Sequence, residues 1–365
     1  MARLGNYVNI KTGKLDANAA SENGKYPFFT CAITPLKIDT YSYDCECVLV
    51  AGNGDLNVKY YSGKFDAYQR TYIIESKNKN NLFPRYLYYF LEQYVETLRK
   101  ESIGGVIKYI KLGNLTEAVI PLHPLTEQHR ITALLDKVND LIAKRRAQLD
   151  KQDLLVKAQF VEMFGDPETN PKQWPVLPMA KVCSVGSSKR IYQSEQCAKG
   201  VPFWRVSNLI ELINTGTAMT DLYIPQERYN ELKKQGQVPK AGDILLTSRG
   251  TLGQCYIVKK DDVFYFQDGM ISWLYQYSEN ITPLYISYLF TMPGFRKQIE
   301  SMQAGTTVSY LSIMMIKHLK VMLPSVSLQN EFTDFVKRAD EFKLTLSMSL
   351  DKLIMLKNKL MEQYF

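Results

Sequence analysis

Side chains that could perform chemistry are few and widely spaced in this chain of 365 residues. Asp66 precedes Glu75-Ser76-Lys77, an Asp…Glu-x-Lys arrangement of the kind found at metal-dependent nuclease centres. In such centres the acidic pair holds Mg²⁺ and the lysine steadies the attacking water. The same residues are also typical of a strand that runs into a solvated loop, and the second half of the chain has no equivalent. A nuclease that uses Asp66, Glu75 and Lys77 is therefore kept as an alternative.

The remaining reactive residue types do not form a catalytic or metal-binding pattern. His123, His129 and His318 are the only histidines, and none is spaced with Cys, Asp or Glu as metal ligands are. The six cysteines include no C-x-x-C pair, so we expect free thiols. The sequence has neither the glycine-rich G-x-x-x-x-G-K-[ST] phosphate loop nor the Asn/Asp-Pro-Pro-Tyr tetrapeptide of amino-methyltransferases. We therefore predict a non-catalytic chain with no metal and no cofactor of its own.

Composition narrows the class of protein further. The hydrophobic fraction of 45% excludes a wholly disordered chain. The net charge is +8. A basic surface attracts nucleic acid by neutralising phosphates. The 24 tyrosines suit either half-wet binding surfaces or β-sheets. No signal peptide and no run of about 18 apolar residues is visible, so we expect a cytoplasmic protein without membrane contact.

The chain repeats itself with a period of about 200 residues. Gln148-Leu149-Asp150-Lys151 resembles Ser349-Leu350-Asp351-Lys352, an offset of 201 that Tyr109 and Tyr310 share, as do Phe164 and Phe365. Pro121 pairs with Pro324 at an offset of 203, which predicts a two-residue slip. A period of this length indicates duplicated domains rather than a solenoid.

Two shorter passages extend the repeat into the first part of each half. Pro27-Phe28-Phe29 resembles Pro202-Phe203-Trp204. The apolar run 48–51 before Asn53-Gly54 resembles the run 244–247 before Arg249-Gly250. The two halves thus share a framework, whereas their loops differ and could read two different ligands.

Each half is predicted to end in a long helix, over residues 126–164 and 328–365. Apolar residues recur every seven positions in both, which is typical of helices that pack as a coiled coil. The first series is Leu135, Ile142, Leu149, Val156 and Met163, supported by Ile131 and Val138; the second is Phe332, Ala339, Leu346, Leu353 and Leu360, supported by Phe335, Phe342 and Leu356. Because one chain holds both helices, we expect an intramolecular antiparallel pair, with dimerisation of the protein as the alternative.

The positive charge lies outside these helices. The first has seven basic and six acidic residues, and the second has six of each, so about +7 of the +8 belongs to the globular segments. Neutral helices suit a structural rod, and the basic excess lies where DNA would be held.

The globular segments 1–125 and 165–327 are predicted to be mixed α/β, with more strand than helix. Buried strands at 47–51 and 243–247 would pair with strands at 69–74 and 268–273. Amphipathic helices would begin at Pro84 and Pro283, and matching loops would follow at 104–107 and 305–308. The fold class is therefore mixed α+β: two domains, each followed by a long helix, in a pseudo-two-fold internal repeat.

Polar residues near these turns are candidates for base-edge contacts in the major groove, because Arg suits guanine and Asn or Gln suits adenine. Glycines would let the backbone approach a phosphate or base pair closely. The candidates in the first half are Asn53, Asn57, Lys59, Tyr60, Lys64, Gln69, Arg70, Gly104 and Gly105. Those in the second half are Arg205, Ser207, Asn208, Ser248, Arg249, Thr251, Gln254, Gln267, Gly305, Thr306 and Thr307.

The order globular segment, helix, globular segment, helix, without a catalytic set, resembles the specificity subunit of Type I restriction–modification systems. The sharpest local likeness is the passage Phe164-Gly165-Asp166-Pro167, followed by Asn170-Pro171 and Trp174. Further passages similar to the family are 51–54, 67–71 and 120–122 with Glu127-Gln128. The resemblance covers essentially the whole chain.

This resemblance implies two target recognition domains, at 1–125 and 165–327, which each read one half of a split site in double-stranded DNA. It implies that the helices 126–164 and 328–365 act as a spacer and as the docking surface for two modification subunits. Those partners would bring S-adenosylmethionine and methylate adenine, and motor–nuclease restriction subunits would join them. A coiled-coil adaptor whose domains bind protein is the alternative from another class.

Overall fold

The computed structural model describes residues 1–303 and 309–365, and it divides into two compact units. The first unit comprises Met1–Gln148 together with Leu346–Phe365, and the second comprises Leu149–Thr345. Both long helices therefore contribute residues to both units. The predicted boundaries treat these helices as separate segments, whereas the packing joins each half of a helix to a globular unit.

The first unit contains eight strands and two helices of its own in addition to its share of the long helices. The strands are β1 (Ala2–Arg3), β2 (Val8–Thr12), β3 (Tyr26–Phe29), β4 (Leu36–Ile38), β5 (Tyr43–Ala51), β6 (Val58–Ala67), β7 (Thr71–Ser76) and β8 (Val119–Ile120). The helices are α1 (Pro84–Glu101) and α2 (Leu112–Thr116). The first long helix, α3, spans Leu125–Phe164.

Strand β5 is central to the first unit's main sheet, whose order is β2-β7-β5-β6-β3-β4. Its uncharged stretch 47–51 is at most 1% exposed, so burial of apolar side chains fixes its position. It pairs antiparallel with β6 and, as the sequence predicts, with β7. Strand β7 begins at Thr71 rather than Gln69, because Thr71 N donates to Tyr68 O (2.8 Å) and closes a turn there.

The second unit has nine strands and five helices of its own within the described residues. The strands are β9 (Val176–Pro178), β10 (Ser184–Gly186), β11 (Val201–Trp204), β12 (Tyr223–Ile224), β13 (Ile244–Thr247), β14 (Cys255–Ile257), β15 (Tyr265–Phe266), β16 (Ile271–Tyr275) and β17 (Lys320–Met322). The helices are α4 (Val206–Thr215), α5 (Gln226–Lys234), α6 (Pro283–Leu289), α7 (Pro293–Gln303) and α8 (Ile313–His318). The second long helix, α9, spans Val326–Tyr364.

Strand β13 has the central role in the second unit that β5 has in the first. Its sheet has the order β10-β16-β13-β14, and a smaller sheet has the order β12-β11-β15. The mixed α/β prediction is confirmed, but the expectation of more strand than helix is wrong for this unit. Helices α4 and α5 lie in the connection between β11 and β13. Each buries apolar side chains, Leu209 and Leu212 on α4 and Tyr229 and Leu232 on α5.

The internal repeat is visible as matching hydrogen bonds in the two units. Phe28 lies beside Asp66 in a parallel pair, and Phe203 lies beside Tyr265 in the same way. This confirms the likeness between the passages 27–29 and 202–204. Ala51 pairs with Thr71, and Thr247 pairs with Ile271, so the two central strands share one register.

The predicted slip in the repeat is wrong. The hydroxyl of Tyr86 donates to Pro121 O (2.7 Å), and that of Tyr285 donates to Met322 O (3.1 Å). Pro121 therefore corresponds to Met322 at the same offset of 201 as the tyrosines at 109 and 310. Pro121 and Pro324 are not at equivalent positions, and the strand pairs β1–β8 and β9–β17 show no two-residue slip.

The long helices run antiparallel within each unit. In the first, Arg130 near the start of α3 donates to the hydroxyl of Tyr364 near the end of α9 (3.0 Å). In the second, Phe160 near the end of α3 packs on Phe332 near the start of α9, with ring centroids 5.5 Å apart. An ideal helix drifts about 20° per heptad. A strict seven-residue series therefore leaves the buried face: Phe342 and Leu356 are 48% and 44% exposed, which contradicts their predicted place in the seam. Val336 and Met361, outside the predicted series, are buried instead.

Candidate nucleic-acid interface

The first unit presents a tight turn directly after its central strand β5. Gly52 N donates to Arg70 O (2.8 Å), and Ile110 N donates to Gly52 O (2.9 Å). Asn53 then forms an isolated bridge with Tyr109. The turn is thus held from both sides by backbone hydrogen bonds, and Asn53 is the first polar side chain that it presents.

The second unit builds the same turn after β13. Ser248 N donates to Met270 O (2.9 Å), and Leu311 N donates to Ser248 O (3.0 Å). Arg249 forms the bridge with Tyr310 that Asn53 forms with Tyr109. Arg249 and Asn53 are therefore equivalent positions.

Two further candidates are equivalent at the start of the following strand. Ala51 N donates to Asn57 O (3.0 Å), and Thr247 N donates to Gln254 O (3.0 Å). The Asn57 amide is used internally, because its Nδ2 donates to the carbonyls of Cys31 and Asp55 (both 2.8 Å). The side-chain oxygen of Gln254 is buried and has no hydrogen-bond partner among the described residues.

Three candidates on β6 differ in how accessible they are. Lys59 donates to Asn57, and burial lowers the pKa of its ammonium. Tyr60 donates to Glu46, and burial together with that carboxylate raises the pKa of the phenol to about 12. The structure therefore turns Tyr60 toward the protein. Lys64 is exposed, with its ammonium 4.6 Å from the ring centre of Tyr41.

The turn before β7 adds two exposed side chains. Gln69 Nε2 donates to Asp16 Oδ1 (2.8 Å), whereas the guanidinium of Arg70 has no partner among the described residues. Arg70 lies directly beside the turn at Gly52, because their backbones are hydrogen-bonded. We therefore regard Arg70 as the most available cation of the first unit's turn.

The two glycines of the first unit's loop are not alike. Gly104 has φ of +117°, and a Cβ there would lie 2.5 Å from Ile107 O, so the turn itself requires glycine. A Cβ on Gly105 would meet nothing within 4 Å, so the surface beside it is open. The corresponding candidates Gly305, Thr306 and Thr307 lie outside the described residues.

Candidates at the start of α4 divide into structural and free groups. Asn208 Oδ1 accepts from Arg205 N (2.9 Å), and its Nδ2 donates to Met219 O (2.6 Å). Asn208 thereby caps the start of the helix, and both polar groups of its amide are already hydrogen-bonded within the protein. Arg205 and Ser207 are exposed beside it.

The remaining second-unit candidates also separate by burial. Ser248 is 1% exposed and shares a hydrogen bond with Ser272 Oγ (2.7 Å), so its side chain cannot reach a base from this position. Thr251 is exposed in the turn, and Gln267 is half-buried with its N–H bonded to Trp204 O (2.9 Å).

Sequence reasoning used Tyr109 and Tyr310 only as repeat markers and missed them as parts of these turns. The guanidinium carbon of Arg249 lies 5.2 Å from the ring centre of Tyr310. The sequence analysis also assigned no structural role to Gln128 and Gln329, which are both fully buried. The shared offset of 201 was the available signal for both pairs.

The nuclease alternative is not supported, because its three residues are not brought together. Asp66 lies on β6 and Glu75 on β7, which flank β5 from opposite sides. Glu75 pairs with Lys11 (3.1 Å), and Lys77 Nζ donates to the carbonyls of Gly5 (3.0 Å) and Asn6 (3.2 Å). Residues 1–303 and 309–365 contain no cluster of three side chains suited to a metal ion. In the same ranges no helix is long and apolar enough to cross a membrane.

Comparison with known proteins identifies the family to which the chain belongs. The model of the Type I restriction modification DNA specificity domain matches residues 1–151 and 171–354. The chain is 37% identical over 173 residues to the Type I restriction enzyme EcoDI specificity subunit of Escherichia coli, a match that spans 47% of this chain and 38% of that relative. It is 24% identical over 399 aligned positions to the MjaVIII specificity subunit of Methanocaldococcus jannaschii, spanning 100% of this chain and 88% of that one.

A solved structure supports the same fold. The S subunit of a Type I restriction–modification system from M. genitalium aligns with a TM-score of 0.59 and 17% identity, covering 100% of this chain and 95% of that one. The two stretches matched by the family model include the paired turns at Asn53 and Arg249. The chain therefore belongs to the Type I restriction modification DNA specificity family, whose members recognise DNA sequence without being catalysts themselves.

Proposed function

We propose that each unit reads one half of a bipartite site in double-stranded DNA. The observation that carries this proposal is the same backbone turn in both units with different side chains, Asn53 in one and Arg249 in the other. A shared framework positions the readers, and different side chains select different bases. One chain would thereby recognise two unlike half-sites.

We further propose that two modification subunits dock on the paired long helices. Large apolar side chains on these helices are exposed, among them Leu154 at 66%, Leu344 at 64% and Met355 at 71%. Exposed apolar surface of this kind is typical of an interface with another protein. The modification subunits would supply S-adenosylmethionine and methylate adenine, and motor–nuclease subunits would add restriction. This chain would supply the recognition and no cofactor.

Methylation-sensitive sequencing of DNA from a host that carries this chain with its modification subunits tests the proposal. We expect methylated adenines in one split motif, with a spacer of fixed length and unspecified sequence. Footprinting of the same complex should protect both half-sites. A single contiguous motif would contradict the two-reader model, and the absence of sequence preference would contradict the function as a whole.

A further inference from the structure

We propose that Arg249 reads a guanine in the half-site bound by the second unit. The inference rests on the proposed function and deepens it, because it assigns one base and one side chain to that site. Three features of the turn support it: the backbone at Arg249 is anchored, an aromatic ring supports the guanidinium, and no carboxylate of a described residue pairs with it.

The backbone on both sides of Arg249 is fixed. Ser248 N–H and C=O are both used, with Met270 O at 2.9 Å and Leu311 N at 3.0 Å. The hydroxyl of Ser248 is bonded to Ser272 Oγ at 2.7 Å. Gly250 follows with φ of +72°, a conformation that glycine adopts without strain. The start of the Arg249 side chain is thus held in one place.

The guanidinium is supported by an aromatic ring that is itself anchored. Its central carbon lies 5.2 Å from the centre of the Tyr310 ring, within the range of a cation–π contact. Tyr310 N donates to Gln303 Oε1 and Tyr310 O accepts from Gln303 Nε2, both at 2.8 Å. A planar fork held on a fixed ring loses less conformational freedom when it binds than a free side chain does.

The donors of Arg249 are available. The residue is exposed and makes no ion pair with any described residue. By contrast, Arg190 in the same unit is paired with Asp268 at 2.9 Å, and Arg228 is paired with Glu231 at 3.1 Å. An unpaired guanidinium fork matches the O6 and N7 acceptors of guanine in the major groove.

The equivalent residue in the first unit favours a base contact over a phosphate contact. Asn53 occupies the place of Arg249 but is uncharged, so it cannot neutralise a phosphate. Amides and guanidinium groups share the ability to make two hydrogen bonds to a purine edge, to adenine and to guanine respectively. Asn53 Oδ1 already accepts one hydrogen bond, from Cys31 Sγ (2.9 Å). An amide oxygen has a second lone pair, and no described residue accepts from Asn53 Nδ2, so the position is suited to contacting a base in both units.

Competition binding tests the inference with the full chain in complex with its modification subunits. The probes are duplexes with the wild-type motif and duplexes substituted at each position in turn. We expect Arg249→Ala and Arg249→Lys to lose discrimination at a single G·C pair of one half-site, on the order of tenfold or more, with every other position unchanged. Lysine keeps the charge but lacks the fork, so it should not restore the discrimination.

Arg190→Ala is the matched control, because this exposed arginine already has a carboxylate partner. It should leave the base preferences unchanged, and thermal unfolding of all three variants should match the wild type. If Arg249→Ala weakens binding equally for all probes and lysine restores it, Arg249 is a phosphate contact and the inference is wrong. It is also wrong if both variants keep the wild-type preferences. A wild-type complex without a split motif instead overturns the proposed function, and the inference with it.

Discussion

Gln329 repeats in the second unit the three hydrogen bonds that Gln128 makes in the first. Gln128 Oε1 accepts from Phe83 N (2.8 Å), and its Nε2 donates to the carbonyls of Asn81 and His123 (both 2.9 Å). Gln329 makes the corresponding bonds: its Oε1 accepts from Thr282 N (2.8 Å), and its Nε2 donates to the carbonyls of Asn280, in the loop before α6, and of Pro324, just before α9 (both 2.9 Å). One buried amide near the start of each long helix thus fastens the loop before a neighbouring helix.

Gln128→Ala should destabilise the first unit. The substitution removes the partner of Phe83 N and of the carbonyls of Asn81 and His123 at a partly buried site, at a cost of about 2 kcal/mol. Urea unfolding followed by tyrosine fluorescence and circular dichroism measures the loss. Gln148→Ala is the control, because that glutamine is exposed on the same helix and should change the free energy of unfolding by less than about 0.5 kcal/mol. Equal stability of the two variants would contradict the fastening role.

Asp243 should make the second unit less stable as the pH rises. Burial is the largest influence on this carboxyl and raises its pKa above the usual value, despite the hydrogen bonds from Lys240 N (2.7 Å) and Trp273 Nε1 (2.9 Å). The unfolded state therefore releases the proton at a lower pH than the folded state does. Stability linked to this group is fully present below the unfolded pKa and is lost as the pH rises through the folded pKa.

The measurement compares Asp243→Asn with the wild type in urea between about pH 4 and pH 7. The difference in free energy of unfolding should move in favour of the variant as the pH rises, because asparagine cannot ionise. A difference that is independent of pH would show that the folded carboxyl titrates as it does in the unfolded chain.

Arg70→Ala should weaken DNA binding by the complex without changing the base preferences. Arg70 is exposed, and its guanidinium has no partner in the part of the chain that the structure describes. Its backbone is bonded to the turn that presents Asn53, so we predict a phosphate contact. Removing one such contact should reduce the slope of log affinity against log salt concentration by about 1. Arg3→Ala is the control, because Arg3 is paired with Glu117 at 3.1 Å. An altered motif would instead assign Arg70 to base reading.

The sequence was sufficient to predict the elements whose side chains face an apolar core. Apolar runs predict strands β5 and β13. The backbone preference of proline for the first turn of a helix predicts where α1 and α6 begin. The long helices end within two residues of their predicted bounds for the same reason. The slip was predicted wrongly because Pro121 and Pro324 are the same residue type, although Pro121 corresponds in the fold to Met322.

The candidate sites were less predictable, because side-chain partners come from distant parts of the chain. Tyr60 and Asn208 carry suitable polar groups, but Glu46 and Met219 occupy those groups in the fold. Arg249 carries a similar group that forms no ion pair with any residue in the described ranges. Nothing local to these residues distinguishes the free side chain from the occupied ones, since the difference lies in which strand or loop is adjacent.

The paired long helices should set the spacer between the two half-sites. Deleting seven residues from the middle of α3 and seven from the facing part of α9 removes about two turns from each and keeps the apolar seam in phase. Each helix shortens by about 10.5 Å, at about 1.5 Å per residue, which corresponds to roughly three base pairs of DNA. Methylation-sensitive sequencing should then show a spacer shorter by about three base pairs and two unchanged half-sites. An unchanged spacer would remove the ruler role from the helices, whereas altered half-sites would show that the deletion had disturbed the reading turns themselves.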